Sequence, residues 1–119
     1  MEEPKPNERK LNRLKMPFVL RIQRLTAKDQ WDFVLLEDIC ATGARFHSET
    51  HYLEGEVLNL KLHVSGAMST ILCRGEVVRV ARLGQMETVV VAIIFIDLTQ
   101  ENADWITRVI EENKRNAPS

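Results

Sequence analysis

Leu58-Asn59-Leu60-Lys61-Leu62-His63-Val64 is the stretch on which the fold reading turns. Its aliphatic residues fall at every second position with Asn59, Lys61 and His63 between them, a period of two that a strand produces and a helix does not. One side of this segment is suited to burial and the other to water, the pattern of an antiparallel sheet packed on a core along one face.

Working back from it, residues 49–55 read as a loop ending at Gly55, and Ala44-Arg45-Phe46-His47 as a short extended segment. Residues 31–36 form a more continuously apolar strand. Before that, Phe18, Leu20 and Ile22 alternate with Val19, Arg21 and Gln23 as the first strand, joined to the second through the polar loop at residues 26–30. Working forward, Ser65-Gly66-Ala67 is a turn. Residues 70–82 make a long strand in which Gly75 marks a bulge or a close approach of another backbone. Arg82-Leu83-Gly84-Gln85 is a further turn, and residues 89–96 form a sixth strand, apolar on both faces and therefore expected at the centre of the sheet. Thr99 then has the character of a helix N-cap, with Glu101 and Asp104 suiting the first turns and Trp105, Ile106, Val109 and Ile110 forming one apolar stripe. No connection between successive strands is long enough for a parallel crossover. The expectation is a mainly β protein, a six-stranded antiparallel barrel of short strands with a C-terminal helix lying against it and plugging an open end.

A chain of 119 residues with 45% hydrophobic and 28% charged residues has the composition of one ordinary globular domain. Its net charge of −1 argues against a general DNA or RNA binder. The charge is unevenly placed: through Arg24 seven basic residues face three acidic ones, a net +4, and the remainder sets nine basic against fourteen acidic, a net −5. A basic limb on an acidic body suggests a local anion site. Cys40 and Cys73 make neither a disulfide framework nor a zinc-type spacing, which points to a reducing, cytoplasmic setting. No apolar run approaches the ~20 residues of a membrane span, so membrane insertion is not expected.

Two features carry candidate chemistry. Arg9 and Arg13 stand four apart, a spacing that puts both on one side of either a helical turn or an extended chain. Asp38-Ile39-Cys40-Ala41-Thr42-Gly43 brings an acid, a thiol and a glycine into one tight connection between strand-like segments. Taken without the arginines, Asp38 and Gly43 read as turn residues. No histidine is placed to activate Cys40, and His47 and His51 fall in a loop region that does not suggest a metal site. No acid pair or nucleophile–base pair is apparent, so an enzyme is not expected.

In order and at these separations, Arg9-x-x-x-Arg13, Asp38-x-Cys40-x-x-Gly43-Ala44-Arg45-Phe46, Gly75-Glu76-Val77-Val78-Arg79-Val80 and Phe95-Ile96-Asp97-Leu98-Thr99 closely resemble the PilZ domain, over about residues 9–112. The resemblance implies a small β-barrel that binds the bacterial second messenger cyclic di-GMP through an Arg-x-x-x-Arg arm and an Asp/Asn-x-Ser-x-x-Gly turn. It implies tails at 1–8 and 114–119, the arm at 9–15, the barrel at 16–98 and the helix at 99–113. The ligand-binding residues would be Arg9, Arg13, Asp38, Cys40, Gly43 and, at a ligand-facing position, Arg79. Cys40 stands where the family has serine. The implied role is that of a receptor, a monomer or weak dimer, whose conformation changes on binding and which regulates a protein partner in motility, pili, biofilm or polysaccharide formation. The competing reading is an adaptor of the same family that no longer binds the messenger.

Overall fold

The computed structural model describes residues 16–64 and 69–115. The expected arm at 9–15, with Arg9 and Arg13, lies outside the described residues, as do residues 1–8, 65–68 and 116–119. The elements are β1 (Phe18–Arg24), β2 (Asp32–Ile39), β3 (Gly43–Ser48), β4 (Val57–Val64), β5 (Thr70–Arg82), β6 (Val89–Phe95) and α1 (Gln100–Arg115). The strands close into a barrel in the order β1-β2-β3-β6-β5-β4, every neighbouring pair antiparallel. The six-stranded barrel with its late helix is the architecture expected. Closure leaves no edge strand, so the central place anticipated for β6 is not a distinction: every strand is paired on both sides.

The alternation in β4 reads out directly. Leu58, Leu60 and Leu62 are fully buried and meet Leu20, Ile22, Phe46, Val77, Val91 and Ile93 from the other strands. The hydrophobic effect on these inward side chains, at about 25 cal/mol per Å² of apolar surface, is what closes the sheet. Gly75 lies between Leu58 of β4 and Phe95 of β6. A Cβ there would stand 2.8 Å from Leu60 Cδ1 and 3.3 Å from the Ile94 carbonyl oxygen, so close approach is what this glycine permits. The bulge of β5 comes later, at Val78.

One connection was not legible as what it is. Between β3 and β4 the chain does not turn back on itself; it crosses to the far side of the ring, because β3 pairs with β2 and β6 whereas β4 pairs with β1 and β5. Tyr52, 4% exposed, packs edge-on to Phe46 with ring centroids 6.1 Å apart and fills that end of the barrel. Arg24 locks the crossing segment: its Nε donates to Glu56 Oε2 at 2.8 Å, its Nη2 to the His51 carbonyl at 2.8 Å, and its guanidinium lies 4.8 Å from the Tyr52 ring centroid.

The opposite end, where β1 starts and β6 finishes, belongs to α1. Ile106 is fully buried in the core, Trp105, Val109 and Ile110 pack on it half-buried, and Trp105 meets Phe18 edge-on at 6.5 Å. The helix continues past the expected end at residue 113 to Arg115; Lys114 and Arg115 in its last turn complement the negative end of the helix dipole. At its start Thr99 Oγ1 accepts the Asn102 N–H at 3.1 Å, satisfying one of the open backbone donors. Thr99→Ala is therefore expected to cost about 1 kcal/mol, lowering Tm by about 4 °C in a circular-dichroism melt. An unchanged Tm would show that the cap does not hold the helix in place.

Candidate functional site

The expected turn is shorter than its motif. Asp38 and Ile39 still belong to β2, Gly43 already belongs to β3, and Cys40 to Thr42 make the reversal, closed by the Cys40 N–H donating to the Gly43 carbonyl at 2.9 Å. Strand β2 continues past Leu36 because of a bulge. Leu36 pairs with Phe46 and Asp38 with Arg45, leaving Glu37 as an extra residue. Strict alternation from buried Leu36 would point Asp38 into the core, at the cost of burying a carboxylate. The extra residue lets Glu37 and Asp38 both face outward while Ile39 returns to the core.

Strand β5 does the same. Val77 pairs with Ile93 and Arg79 with Ala92, so Val78 is the extra residue, and Val78 and Arg79 both face outward. Register then joins the two bulges across the outer surface: Asp38 pairs with Arg45, Arg45 with Ala92, and Ala92 with Arg79. Four strands thus present one outward row, Asp38-Arg45-Ala92-Arg79. Arg45 and Arg79 flank the small Ala92, their Cα atoms two strand spacings, about 9.6 Å, apart.

A cavity of about 250 Å³ lies along this row and the turn, lined among others by Asp38, Cys40, Thr42, Arg45, Val78 and Ala92. Arg45 Nη2 reaches Asp38 Oδ2 at 3.3 Å, and both side chains are more than half exposed. An exposed pair of this kind is worth at most about 1 kcal/mol, so an incoming anion can take the guanidinium from Asp38 at little cost. Arg79 has no ion pair among the described residues. Cys40 Sγ lies 3.1 Å from Thr42 Oγ1. Hydrogen bonds from the Thr42 hydroxyl and backbone hold the Cys40 thiol below its ordinary pKa, with Gly43 adding to them, against partial burial and the charge of Asp38. Cys73, inside the barrel, is pushed the other way by burial, to about 11.

Of the residues singled out from the sequence, Asp38, Cys40, Gly43 and Arg79 therefore come to one side of the barrel, and Arg9 and Arg13 lie outside the described residues. Gly43 is buried in the sheet: a Cβ there would collide with the Ile93 carbonyl oxygen of β6, so the backbone approach it permits is that of the neighbouring strand. Sequence reasoning missed Arg45, Thr42 and Ala92 as parts of the surface. Arg45 was findable, since it sits between Ala44 and Phe46, the apolar pair that faces inward. Ala92 was not, because β6 is apolar on both faces. His47 belongs to strand β3, within the extended segment expected at residues 44–47, and its Nε2 lies 3.1 Å from Glu37 Oε1 on the bulge.

The sequence matches the PilZ domain family over residues 7–112. The chain belongs to the PilZ domain family. Among curated protein sequences there is no match. Solved structures with the same fold include the inhibitor of motility MotI/DgrA of Bacillus subtilis, at 14% identity and a TM-score of 0.68, covering 83% of this chain and 47% of that one. MrkH of K. pneumonia in its apo state follows at 17% identity and 0.68, covering 85% and 50%; a second crystal of MrkH gives 14% and 0.69, covering 85% and 46%. The PilZ domain described here spans about half the length of each. At these identities the likeness is one of fold. Among the described residues of this PilZ domain, no group of three or more His, Cys, Asp or Glu is placed to hold a metal ion, and no helix is long and apolar enough to cross a membrane.

Proposed function

We propose that this PilZ domain is a receptor for cyclic di-GMP, bound on the outward row Asp38-Arg45-Ala92-Arg79 and clasped by Arg9 and Arg13. The observation that carries the reading is the pair of bulges, at Glu37 and Val78, which turn an acid and an arginine on separate strands onto one line with Arg45 between them. Bulges aim side chains that alternation would hide, and here two of them converge on one surface. The ligand has two phosphodiester charges and two guanines. Arginine's planar fork suits both the phosphate oxygens and the guanine O6/N7 edge, and Asp38, once released by Arg45, is an acceptor for guanine N–H groups. Ala92 leaves room for a flat base between the arginines.

Chain geometry supports the clasp. β1 begins at Phe18, at the same end of the barrel as the Cys40 to Thr42 turn. At about 3.4 Å per residue an extended chain from Phe18 back to Arg13 reaches about 17 Å, and back to Arg9 about 30 Å. From β1 the outward row begins one strand spacing away, on β2, and in the closed ring it ends on β5, two spacings or about 10 Å away through β4. Ligand contacts made only with the arm closed supply the energy of a conformational switch, and the ordered arm is the new surface that a protein partner reads.

Cys40 favours the competing reading, an adaptor without the nucleotide, because a thiol is a weaker hydrogen-bonding group than the family's serine hydroxyl. Thr42 Oγ1, 3.1 Å from the sulfur, keeps a hydroxyl at the turn. Calorimetric titration separates the two readings. Saturable heat with cyclic di-GMP is expected for the native chain, and Cys40→Ser is expected to bind on the order of tenfold more tightly, about 1–2 kcal/mol. Silence from both proteins at high nucleotide would establish the adaptor; a serine variant that bound more weakly would remove the thiol from the account.

A further inference from the structure

On the other side of the ring, the barrel surface centred on β1 and β4 and reaching onto β2 and β5 carries a second pattern. Register aligns Phe33, Arg21, Lys61 and Leu72 across these four strands as an outward row: apolar, cationic, cationic, apolar. Phe33 and Leu72 are 70% and 67% exposed, and Leu35, on the same face of β2, is 70% exposed. Large apolar groups so open to water on the middle of a sheet mark interaction sites more often than they occur by chance.

The two cations sharpen the reading. Arg21 and Lys61 stand directly opposite each other, an arrangement of like charges that weakens a sheet. Neither has an ion-pair partner among the described residues. Each leans on a ring instead: the Arg21 guanidinium lies 5.1 Å from the Phe33 centroid and the Lys61 ammonium 4.3 Å from that of Trp31. These contacts hold the side chains out along the surface with their charge unneutralised. They do so on a body that, from residue 25 on, has a net charge of −5. A costly, uncompensated positive pair framed by exposed apolar groups is complementary to a ligand that is both acidic and apolar.

We infer that this face docks an acidic, apolar polypeptide segment of a protein partner. Single-stranded nucleic acid is the less suitable occupant. Bases need open aromatic faces, whereas Phe33 and Trp31 already carry cations on theirs and the flanking groups, Leu35 and Leu72, are aliphatic. The inference stands apart from the proposed nucleotide binding, since the face shares no residue with the Asp38 to Arg79 row and the test uses no cyclic di-GMP.

The test uses the full chain and four fluorescein-labelled probes read by anisotropy: a peptide of alternating glutamate and leucine, one of alternating lysine and leucine, one of alternating glutamate and serine, and an oligothymidylate. The glutamate–leucine peptide is expected to bind saturably, with affinity falling as salt is raised, and the other three are expected to bind far more weakly or not at all. Arg21→Gln with Lys61→Gln should weaken binding roughly tenfold, and Phe33→Ser at least as much. Amide shifts in the native protein on adding the glutamate–leucine peptide should map to β1, β2 and β4, a readout that does not depend on any variant folding. Absence of saturable binding, equal binding by the double variant, shifts confined to the Asp38 to Arg79 row, or preference for the oligothymidylate would each overturn the inference.

Discussion

Gly43→Ala is expected to destabilise the barrel by about 3 kcal/mol or more and to lower Tm by about 10 °C or more, although alanine adds a single methyl. The added carbon would overlap the Ile93 carbonyl oxygen, a backbone atom of a paired strand that has no rotamer by which to move aside. Strands β3 and β6 would have to part at the point where β3 leaves the turn. Gly55 supplies the contrast. It has φ +91° and open space around its Cα, so Gly55→Ala strains only its own backbone and should cost about 1 kcal/mol. The check is a pair of thermal melts. A Gly43→Ala melt within about 2 °C of the native protein, or one no worse than Gly55→Ala, would contradict the contact. Because Gly43 is a structural member of the turn, loss of nucleotide binding in this variant is to be read only alongside its melt.

Arg9→Ala with Arg13→Ala is expected to give the reverse profile, a folded protein that does not bind. Each arginine is assigned one charge-assisted contact to a phosphate or guanine, worth about 1.5–3 kcal/mol; losing both corresponds to a drop in affinity of more than about 100-fold. Thermal stability should stay within about 2 °C of the native value, since the core described above begins at Phe18 with Met16 packed on it. Calorimetry for binding and calorimetric melting for stability check both halves. Native-like affinity in the double variant would sink the clasp while leaving the fold account intact.

How far the sequence could be read follows from the kind of signal each feature leaves. Period-two alternation in β1 and β4 and short connections between strands are local signals, and they led to the strands, the antiparallel barrel and the helix stripe around Ile106. Bulges leave almost none. Glu37-Asp38 is a polar pair that reads as the beginning of a turn, and only the pairing of Leu36 with Phe46 and of Asp38 with Arg45 reveals a strand that keeps going. Val78-Arg79 gives still less, and Gly75 drew attention to itself through close packing three positions upstream of the residues that matter. The crossing of residues 49–56 over the barrel end was equally silent, because its length suits a hairpin as well as a traverse. The candidate site was therefore legible as motifs, whereas the row that gathers Asp38, Arg45, Ala92 and Arg79 exists only in the register between strands that are distant in sequence.

A crystal structure of the full chain grown with cyclic di-GMP tests the central claim most directly. The account predicts the nucleotide lying along Asp38, Arg45, Ala92 and Arg79, with the Asp38–Arg45 pair opened and the guanidinium groups of Arg9 and Arg13 on its phosphates or guanine edges. A nucleotide seated on another face, or one on this row with Arg9 and Arg13 turned away from Asp38, would contradict it.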